Sequence, residues 1–225
     1  MCLSLYMALA LFYTCVLFHN YGMLGQRRSF HCAVLPKINA VLFIERKVSI
    51  MVQKRVLGVI GLGHVGAHVA YALAIQGIAD ELVLVDQNEQ KLASEVQDLR
   101  DAVAYMPHRV TVRAGDFADL GACDVIVNSV GKIELLRGTH DRVTEMDFPI
   151  PAGRGYAEKL KASGFDGVLI NITNPCDIVT RELALHVGLP KGRVFGTGTG
   201  LDTSRLLSAL ARQTGIDHKS ITCYM

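Results

Sequence analysis

The stretch from Val56 to Gly66, VLGVIGLGHVG, decides the fold. Five apolar residues predict a buried strand, and a helical pattern follows the last glycine. Between them lies the pattern G-x-G-x-x-G, in which Gly61 permits a tight turn, Gly63 lets the backbone approach a pyrophosphate, and Gly66 lets the helix pack closely on the strand. The backbone N–H groups of His64 and Val65 open this helix, so they and its positive dipole end are predicted to face the phosphates.

Asp86 closes the second predicted strand, twenty residues beyond Gly66. A carboxylate at this position accepts hydrogen bonds from an adenosine ribose diol and repels a 2′-phosphate. The sequence therefore predicts NAD rather than NADP as the cofactor. No metal is expected, because His64 and His68 have no partners at metal-ligand spacing.

Short apolar runs alternate with helical patterns along the rest of the chain, which predicts a parallel sheet with crossover helices. The predicted helix after the glycines has Val65, Val69 and Leu73 on one face, and Asn88 is predicted to cap the next helix. The fold class is thus α/β, a doubly wound parallel sheet of the Rossmann type. Its predicted strands are Val56–Ile60, Glu81–Val85, Val110–Arg113, Asp124–Asn128, Val168–Ile172 and Arg193–Phe195.

The composition suits a globular protein, because half of the residues are hydrophobic and a fifth are charged. The net charge of +2 is nearly balanced and the basic residues are scattered, so no nucleic-acid partner is expected. None of the six cysteines forms a C-x-x-C pair, which indicates free thiols in a reducing compartment such as the cytoplasm.

Residues 1–50 begin with a charge-free hydrophobic run up to Gln26, followed by two arginines. The run is long enough to span a bilayer, and its basic flank would leave the rest of the chain in the cytosol. The favoured interpretation is an upstream extension outside the fold, because Met51 stands like an initiator just before the glycine motif. A membrane anchor and a targeting segment are the alternatives.

Three further segments resemble the lactate/malate dehydrogenase family, especially its bacterial branch acting on L-2-hydroxyisocaproate. They are VLINITNPCD at 168–177, GTGTGLDTSR at 196–205 and the loop at 131–142. The resemblance implies an NAD-dependent oxidoreductase with an NAD-binding domain at 51–199 and the start of a substrate domain at 200–225. It also implies a homodimer or homotetramer acting on a small 2-hydroxy or 2-oxo acid.

The resemblance implies roles for individual residues. Arg205 matches the arginine that holds the substrate carboxylate, Asp202 the carboxylate that orients a catalytic histidine, and Arg142 the mobile-loop arginine that polarises the substrate carbonyl. Asn174 matches the asparagine that places the substrate hydroxyl beside the nicotinamide, and Val130 and Gly131 are assigned to the cofactor. Without the resemblance, Asp202 and Arg205 are better explained as a surface ion pair, because Asp and Arg at three-residue spacing more often form one.

The chain also departs from the family pattern. The family's catalytic histidine lies in a Gly-Glu-His-Gly segment that is not found here, so this chain is expected to bind NAD but to be inactive alone; a non-catalytic NAD-binding module is the alternative. Prolines and glycines in FPIPAGRG at 148–155 predict that the family's continuous helix starts late, kinks or is less stable. Either Leu136, favouring lactate or an aliphatic 2-oxo acid, or Arg137, favouring the malate reaction, faces the substrate.

Overall fold

The computed structural model describes residues 54–131 and 146–225. These residues form a six-stranded, fully parallel sheet in the order β3-β2-β1-β4-β5-β6, with helices between the strands. The chain winds outward from β1 in both directions, so the order reverses between β1 and β4. This is the doubly wound fold that the sequence predicted, and the fold class is confirmed.

The elements follow the predicted alternation. The strands are β1 Val56–Ile60, β2 Glu81–Val85, β3 Thr111–Ala114, β4 Val125–Asn128, β5 Val168–Asn171 and β6 Val194–Gly196. The helices are α1 His64–Ile75, α2 Glu89–Val103, α3 Pro149–Ala162, α4 Cys176–Val187 and α5 Gly200–Thr214. Two short 3₁₀ turns, Asp119–Ala122 and His218–Ser220, complete the described part.

The core has one layer on each face of the sheet. Val59 and Leu84 contribute to the layer that also holds Val69 and Leu73 of α1, whereas Ile126 and Leu169 face the layer formed by α3 and α4. Since both faces are covered, the inner strands are apolar except for Glu81 at the start of β2 and the asparagines that end β4 and β5. Each fully buried Leu or Ile side chain contributes about 1.5–3 kcal/mol.

Helix α2 begins as the sequence predicted. The side chain of Asn88 accepts a hydrogen bond from the backbone N–H of Lys91 at 3.0 Å, which caps the helix. Val96 and Leu99 are buried against the sheet, and Leu92 and Val103 pack beside them. In α1, Val69 and Leu73 are buried as predicted, but Val65 is 40% exposed because it lies at the open end of the helix.

Helix α3 has its two prolines at its start, and the choice among a late start, a kink and a weaker helix than in the family stays a prediction. It begins at Pro149, so Pro149 and Pro151 both occupy the first turn. Backbone N–H groups of the first turn have no acceptor within a helix, and proline therefore costs little there. Gly153 is buried, and a Cβ atom on it would lie 3.5 Å from the Leu183 side chain, where α3 meets α4.

Several predictions fall outside the described residues. These are the interpretation of residues 1–50, the substrate-facing residue at 136 or 137, and the role of Arg142. Among the residues that are described, no helix is long and apolar enough to cross a membrane. The division into domains at 51–199 and 200–225 stays a prediction.

Candidate functional site

The glycine turn joins β1 to α1 and is shaped by its glycines. Gly61 has a φ of +85°, a left-handed conformation that favours glycine, and its N–H donates to the Val85 carbonyl at 2.8 Å. A Cβ atom on Gly66 would lie 1.9 Å from the Gly61 oxygen and 2.4 Å from Ser129 Oγ. The first helical turn therefore packs directly on the end of the strand, as the spacing of the glycines predicted.

Gly63 caps α1 and has open space beside it. A Cβ atom there would meet no atom of the described residues within 4 Å, and no side chain of those residues caps the helix. The first N–H groups of an α-helix have no acceptor within the helix, and its dipole is positive at this end. This side of the turn can therefore receive a phosphate group.

The Asp86 carboxylate lies directly against the glycine turn. Its Oδ2 accepts from the Leu62 N–H at 2.6 Å, and its Oδ1 accepts from the Asn88 N–H at 2.8 Å. The carboxylate follows β2 and is partly exposed, so it remains accessible to a sugar. An acidic group and a phosphate-sized opening thus lie side by side, which fits the ribose and pyrophosphate of a dinucleotide.

The other wall of the crevice follows β4. Ser129 Oγ donates to the Gly61 carbonyl at 2.6 Å and lies 3.0 Å from the Ile60 carbonyl. Backbone atoms of Val130 lie 3.0 Å from the position where Gly61 would carry a Cβ atom. The turn after β1 and the loop after β4 therefore form one continuous surface, at the point where the strand order reverses.

Asn174 follows β5 on the same edge of the sheet and is exposed. Its peptide bond to Pro175 is cis, and α4 begins at the next residue, Cys176. Gly131 is also exposed, with no described atom within 4 Å of a Cβ built on it. Both residues thus lie beyond the carboxyl ends of β4 and β5, and their roles in binding stay predictions.

Asp202 and Arg205 form an ion pair in the first turns of α5. Arg205 Nη1 donates to Asp202 Oδ1 at 3.1 Å, and the side chains are 65% and 50% exposed, respectively. Arg205 also borders an open groove of about 520 Å³, whose other lining residues are Ser208, Ala211, Arg212 and His218. The surface ion pair predicted from the spacing is present, and the substrate roles implied by the resemblance stay predictions.

Two polar features of the site were not singled out from the sequence. Ser129 ties the two walls together, and Asn128 and Asn171 are fully buried at the ends of β4 and β5. The available signal was a polar residue ending an apolar strand, as in VIVN and VLIN. In the described part of the chain, no cluster of three His, Cys, Asp or Glu residues could hold a metal ion.

The fold and the site define an α/β dinucleotide-binding domain with the acidic residue typical of NAD binding. Residues 55–196 match the model of the lactate/malate dehydrogenase NAD-binding domain, and the chain belongs to that family. The family resemblance carried by the motifs and NAD as the cofactor of this type of domain are thereby confirmed.

The relatives are lactate dehydrogenases. The chain is 41% identical over 175 residues to an L-lactate dehydrogenase of Fusobacterium nucleatum. The matched residues make up 78% of this chain and 54% of the relative. It is 36% identical over 163 residues to L-lactate dehydrogenase 1 of Bifidobacterium longum, covering 72% and 51%. The chain spans about half the length of the curated relatives it matches.

Solved structures agree in fold. The minor L-lactate dehydrogenase of Enterococcus mundtii, in its ligand-bound form, superimposes with a TM-score of 0.72 at 33% identity and covers 76% of this chain and 54% of its own. The Cryptosporidium parvum lactate dehydrogenase, solved with lactic acid and NAD, gives a TM-score of 0.69 at 26% identity, covering 76% and 54%.

Proposed function

We propose that the chain binds NAD(H) at the glycine turn, and that the protein interconverts an L-2-hydroxy acid and its 2-oxo acid by hydride transfer. The observation that carries this proposal is the hydrogen bond from Leu62 N–H to the Asp86 carboxylate. It brings the predicted ribose-binding group into the predicted phosphate-binding turn, although the two residues are 24 positions apart.

Each residue has a proposed task in binding. Asp86 accepts hydrogen bonds from the adenosine ribose, while Gly63 and the N–H groups of His64 and Val65 receive the pyrophosphate. Val130, Gly131 and Asn174 border the nicotinamide end, beyond β4 and β5. When bound, NAD supplies the group that accepts or returns the hydride.

The acid substrate is proposed to be held by cationic side chains. Arg205 offers parallel N–H donors to a carboxylate, a geometry that lysine lacks. Asp202 would orient a histidine and stabilise its protonated form, and Arg142 would place positive charge beside the reacting carbonyl. In the present structure the guanidinium of Arg205 is exposed and contacts only one oxygen of Asp202 among the described residues, so donors remain for a carboxylate.

We further propose an aliphatic substrate such as lactate or 2-hydroxyisocaproate rather than malate. The supporting observations are the names of the curated relatives, which are L-lactate dehydrogenases, and lactic acid in the Cryptosporidium parvum structure. Leu136 facing the substrate would suit an aliphatic side chain, whereas Arg137 would pair with the second carboxylate of oxaloacetate. Turnover of pyruvate, 4-methyl-2-oxopentanoate and oxaloacetate by the protein distinguishes these three reactions.

We also propose that the protein forms a homo-oligomer and is located in the cytoplasm. Helix α1 exposes Tyr71 and Ile75 at 47% and 45%, one turn apart, and apolar side chains of this kind are covered in subunit interfaces. The cysteines support a reducing compartment, since Cys123, Cys176 and Cys223 are free thiols.

Calorimetric titration of the chain with NAD and NADP tests the cofactor assignment. The unaltered chain is expected to prefer NAD, and Asp86→Ser to weaken NAD binding about tenfold or more, because a hydrogen bond to a charged group contributes about 1.5–3 kcal/mol. Asp86→Ser should also narrow the difference between NAD and NADP. Asp98→Ser, which removes the same charge from an exposed position on α2, is the matched control and should bind like the unaltered chain. Equal affinity of the unaltered chain for NAD and NADP contradicts the assignment of Asp86.

A further inference from the structure

Two buried asparagines end neighbouring strands at the edge that forms the crevice. Asn128 of β4 and Asn171 of β5 are register partners, and both are 0% exposed. Asn128 Nδ2 donates to Asn171 Oδ1 at 2.7 Å, which joins the two strand ends through their side chains. Burying two amides among apolar residues is costly unless each finds partners, so their hydrogen bonds explain why this place tolerates them.

Each side-chain oxygen also holds the backbone two residues ahead. Asn128 Oδ1 accepts from the Val130 N–H at 3.3 Å, and Asn171 Oδ1 accepts from the Thr173 N–H at 3.1 Å. The same arrangement is therefore repeated at the two strand ends, with the bond between the amides linking the copies. Asn128 Nδ2 additionally reaches Thr173 Oγ1 at 3.3 Å.

A third set of contacts anchors the pair to α4. Asn171 Nδ2 donates towards the Thr173 carbonyl at 3.1 Å, the Cys176 carbonyl at 3.1 Å and Thr180 Oγ1 at 3.0 Å. All of these atoms are acceptors, and the Asn171 oxygen faces only donors. The orientation of both amides is thus determined by their surroundings, and the network can hold the two loops at one separation.

The two loops lie on the side of the crevice away from Asp86. Val130 lies against the glycine turn, and Thr173 directly precedes Asn174. Asp86 follows β2, on the other side of β1. A dinucleotide whose adenosine ribose lies at Asp86 and whose phosphates lie at the glycine turn extends over β4 and β5 with its nicotinamide half.

We infer that Asn128 and Asn171 are positioning residues for the nicotinamide half of the cofactor, acting through the Val130 backbone and Asn174. This inference rests on the proposed function, because it takes the dinucleotide to lie across the crevice. Among the described residues the amide pair makes no hydrogen bond to the glycine turn or to Asp86, so we expect adenosine binding to depend on it much less than nicotinamide binding does.

The test compares NADH with ADP-ribose, which shares the adenosine and both phosphates but lacks the nicotinamide. Asn128→Leu keeps the branching of the side chain at Cγ, adds volume, and removes both the oxygen and the NH₂ group of the amide. Its NADH affinity should fall about fivefold to tenfold, the loss of one to two hydrogen-bond contributions. ADP-ribose affinity should change less than twofold. Calorimetry measures both ligands, and the emission maximum of bound NADH reports the environment of the nicotinamide.

Thr180→Val is the matched control. It removes an acceptor of Asn171 Nδ2 on α4 but leaves the bond between the amides and both backbone contacts in place. Its melting temperature should fall, while the ratio of NADH to ADP-ribose affinity and the NADH emission maximum stay those of the unaltered chain. A purely structural role of the network would instead make both variants change both ligands in parallel with stability.

Retained ADP-ribose binding shows that Asn128→Leu is folded. If this variant does not fold, Thr173→Val replaces it, because it deletes only the weaker bond from Asn128 Nδ2; the expected loss for NADH is about twofold to threefold. An unchanged ratio in the folded variant overturns the inference, as does an unaltered chain that binds ADP-ribose but not NADH. An unaltered chain that binds neither ligand overturns the proposed function itself.

Discussion

Replacing Gly66 with alanine tests the packing of the glycine turn. The added methyl group would lie 1.9 Å from the Gly61 oxygen and 2.4 Å from Ser129 Oγ, far inside van der Waals contact. The nearer atom belongs to the backbone, so it cannot swing away as a side chain could. Helix α1 would have to move away from β1 by more than an ångström.

The magnitude follows from two opposing effects. Overpacking of a well-filled site costs about 1–3 kcal/mol and sometimes more. Alanine is favoured over glycine within a helix by about 1 kcal/mol, which offsets part of that cost. A clash with a backbone atom should cost about 3 kcal/mol, the upper end of the overpacking range. After the gain of about 1 kcal/mol from alanine, we expect a net loss of about 2 kcal/mol in the free energy of unfolding. For a domain of this size the melting temperature should fall by roughly 4–8 °C.

Gly63→Ala is the matched comparison at the same turn. A methyl group at Gly63 meets no described atom within 4 Å, and its φ of −59° is ordinary for alanine. Stability should therefore stay within about 0.5 kcal/mol of the unaltered chain. NAD affinity should fall all the same, since the methyl group occupies the space assigned to the pyrophosphate. Thermal unfolding followed by circular dichroism and calorimetric titration with NAD measure the two effects separately.

The reasoning is refuted if Gly66→Ala leaves the stability unchanged or if Gly63→Ala strongly lowers it. A Gly66→Ala chain that melts with the unaltered protein would show that the close approach of α1 to β1 is not required. A Gly63→Ala chain that is strongly destabilised would show that the open side of the turn is packed after all.

Two further predictions concern titrating groups. The Arg55 guanidinium and backbone N–H donate to Asp80 and hold the pKa of that carboxyl at about 2, below its usual 3.8. A lowered pKa stabilises the fold above pH 3.8 and loses this contribution as the pH falls towards 2. Asp80→Asn should therefore flatten the acid dependence of urea unfolding in that window, by less than about 1 kcal/mol because the pair is partly exposed; parallel curves for variant and unaltered chain contradict this. Burial raises the pKa of the Cys123 thiol to about 12, so Cys123 should be alkylated by iodoacetamide at pH 8 far more slowly than Cys176 or Cys223. Peptide mass mapping reads all three, and native labelling of Cys123 as fast as that of Cys223 disagrees with its burial.

The sheet was predictable because its inner strands are buried on both faces. Burial on both faces produces apolar runs such as VLGVI in β1 and LVLV in β2, and each predicted strand lies within one residue of the observed one. The cap at Asn88 was also predictable, because it depends on neighbouring residues alone. Local and periodic signals are those that a single sequence displays most clearly.

The start of α3 was not decided by local rules. The prolines at 149 and 151 allowed a late start, a kink or a weak helix, and the propensities of the residues do not choose among them. Packing of Gly153 against Leu183 belongs to the contact between α3 and α4, which connects residues far apart in the chain. Such contacts are not visible in the sequence of the segment alone.

The part of the site formed by the consecutive elements β1, α1 and β2 was predictable. Gly61, Gly66 and Asp86 lie together as their spacing indicated, because β1, α1 and β2 are consecutive. The amide pair could not be found in this way, because its partners are 43 residues apart and belong to different crossovers. The paired carboxylate and guanidinium of α5 were predictable as an ion pair, whereas their substrate roles depend on the family resemblance.

The hydrogen bond from Ser129 to Gly61 joins two parts of the crevice that are far apart in the sequence. It reaches the Gly61 carbonyl across 68 residues, whereas Asp86 reaches the same turn across 24. The contact of Asp86 with the turn needs only the first strand-helix-strand unit, whereas the contact of Ser129 needs β4 beside β1. Since closing the longer segment carries the larger entropic cost, a nascent chain should acquire affinity for adenosine nucleotides before it can distinguish a dinucleotide from its adenosine half.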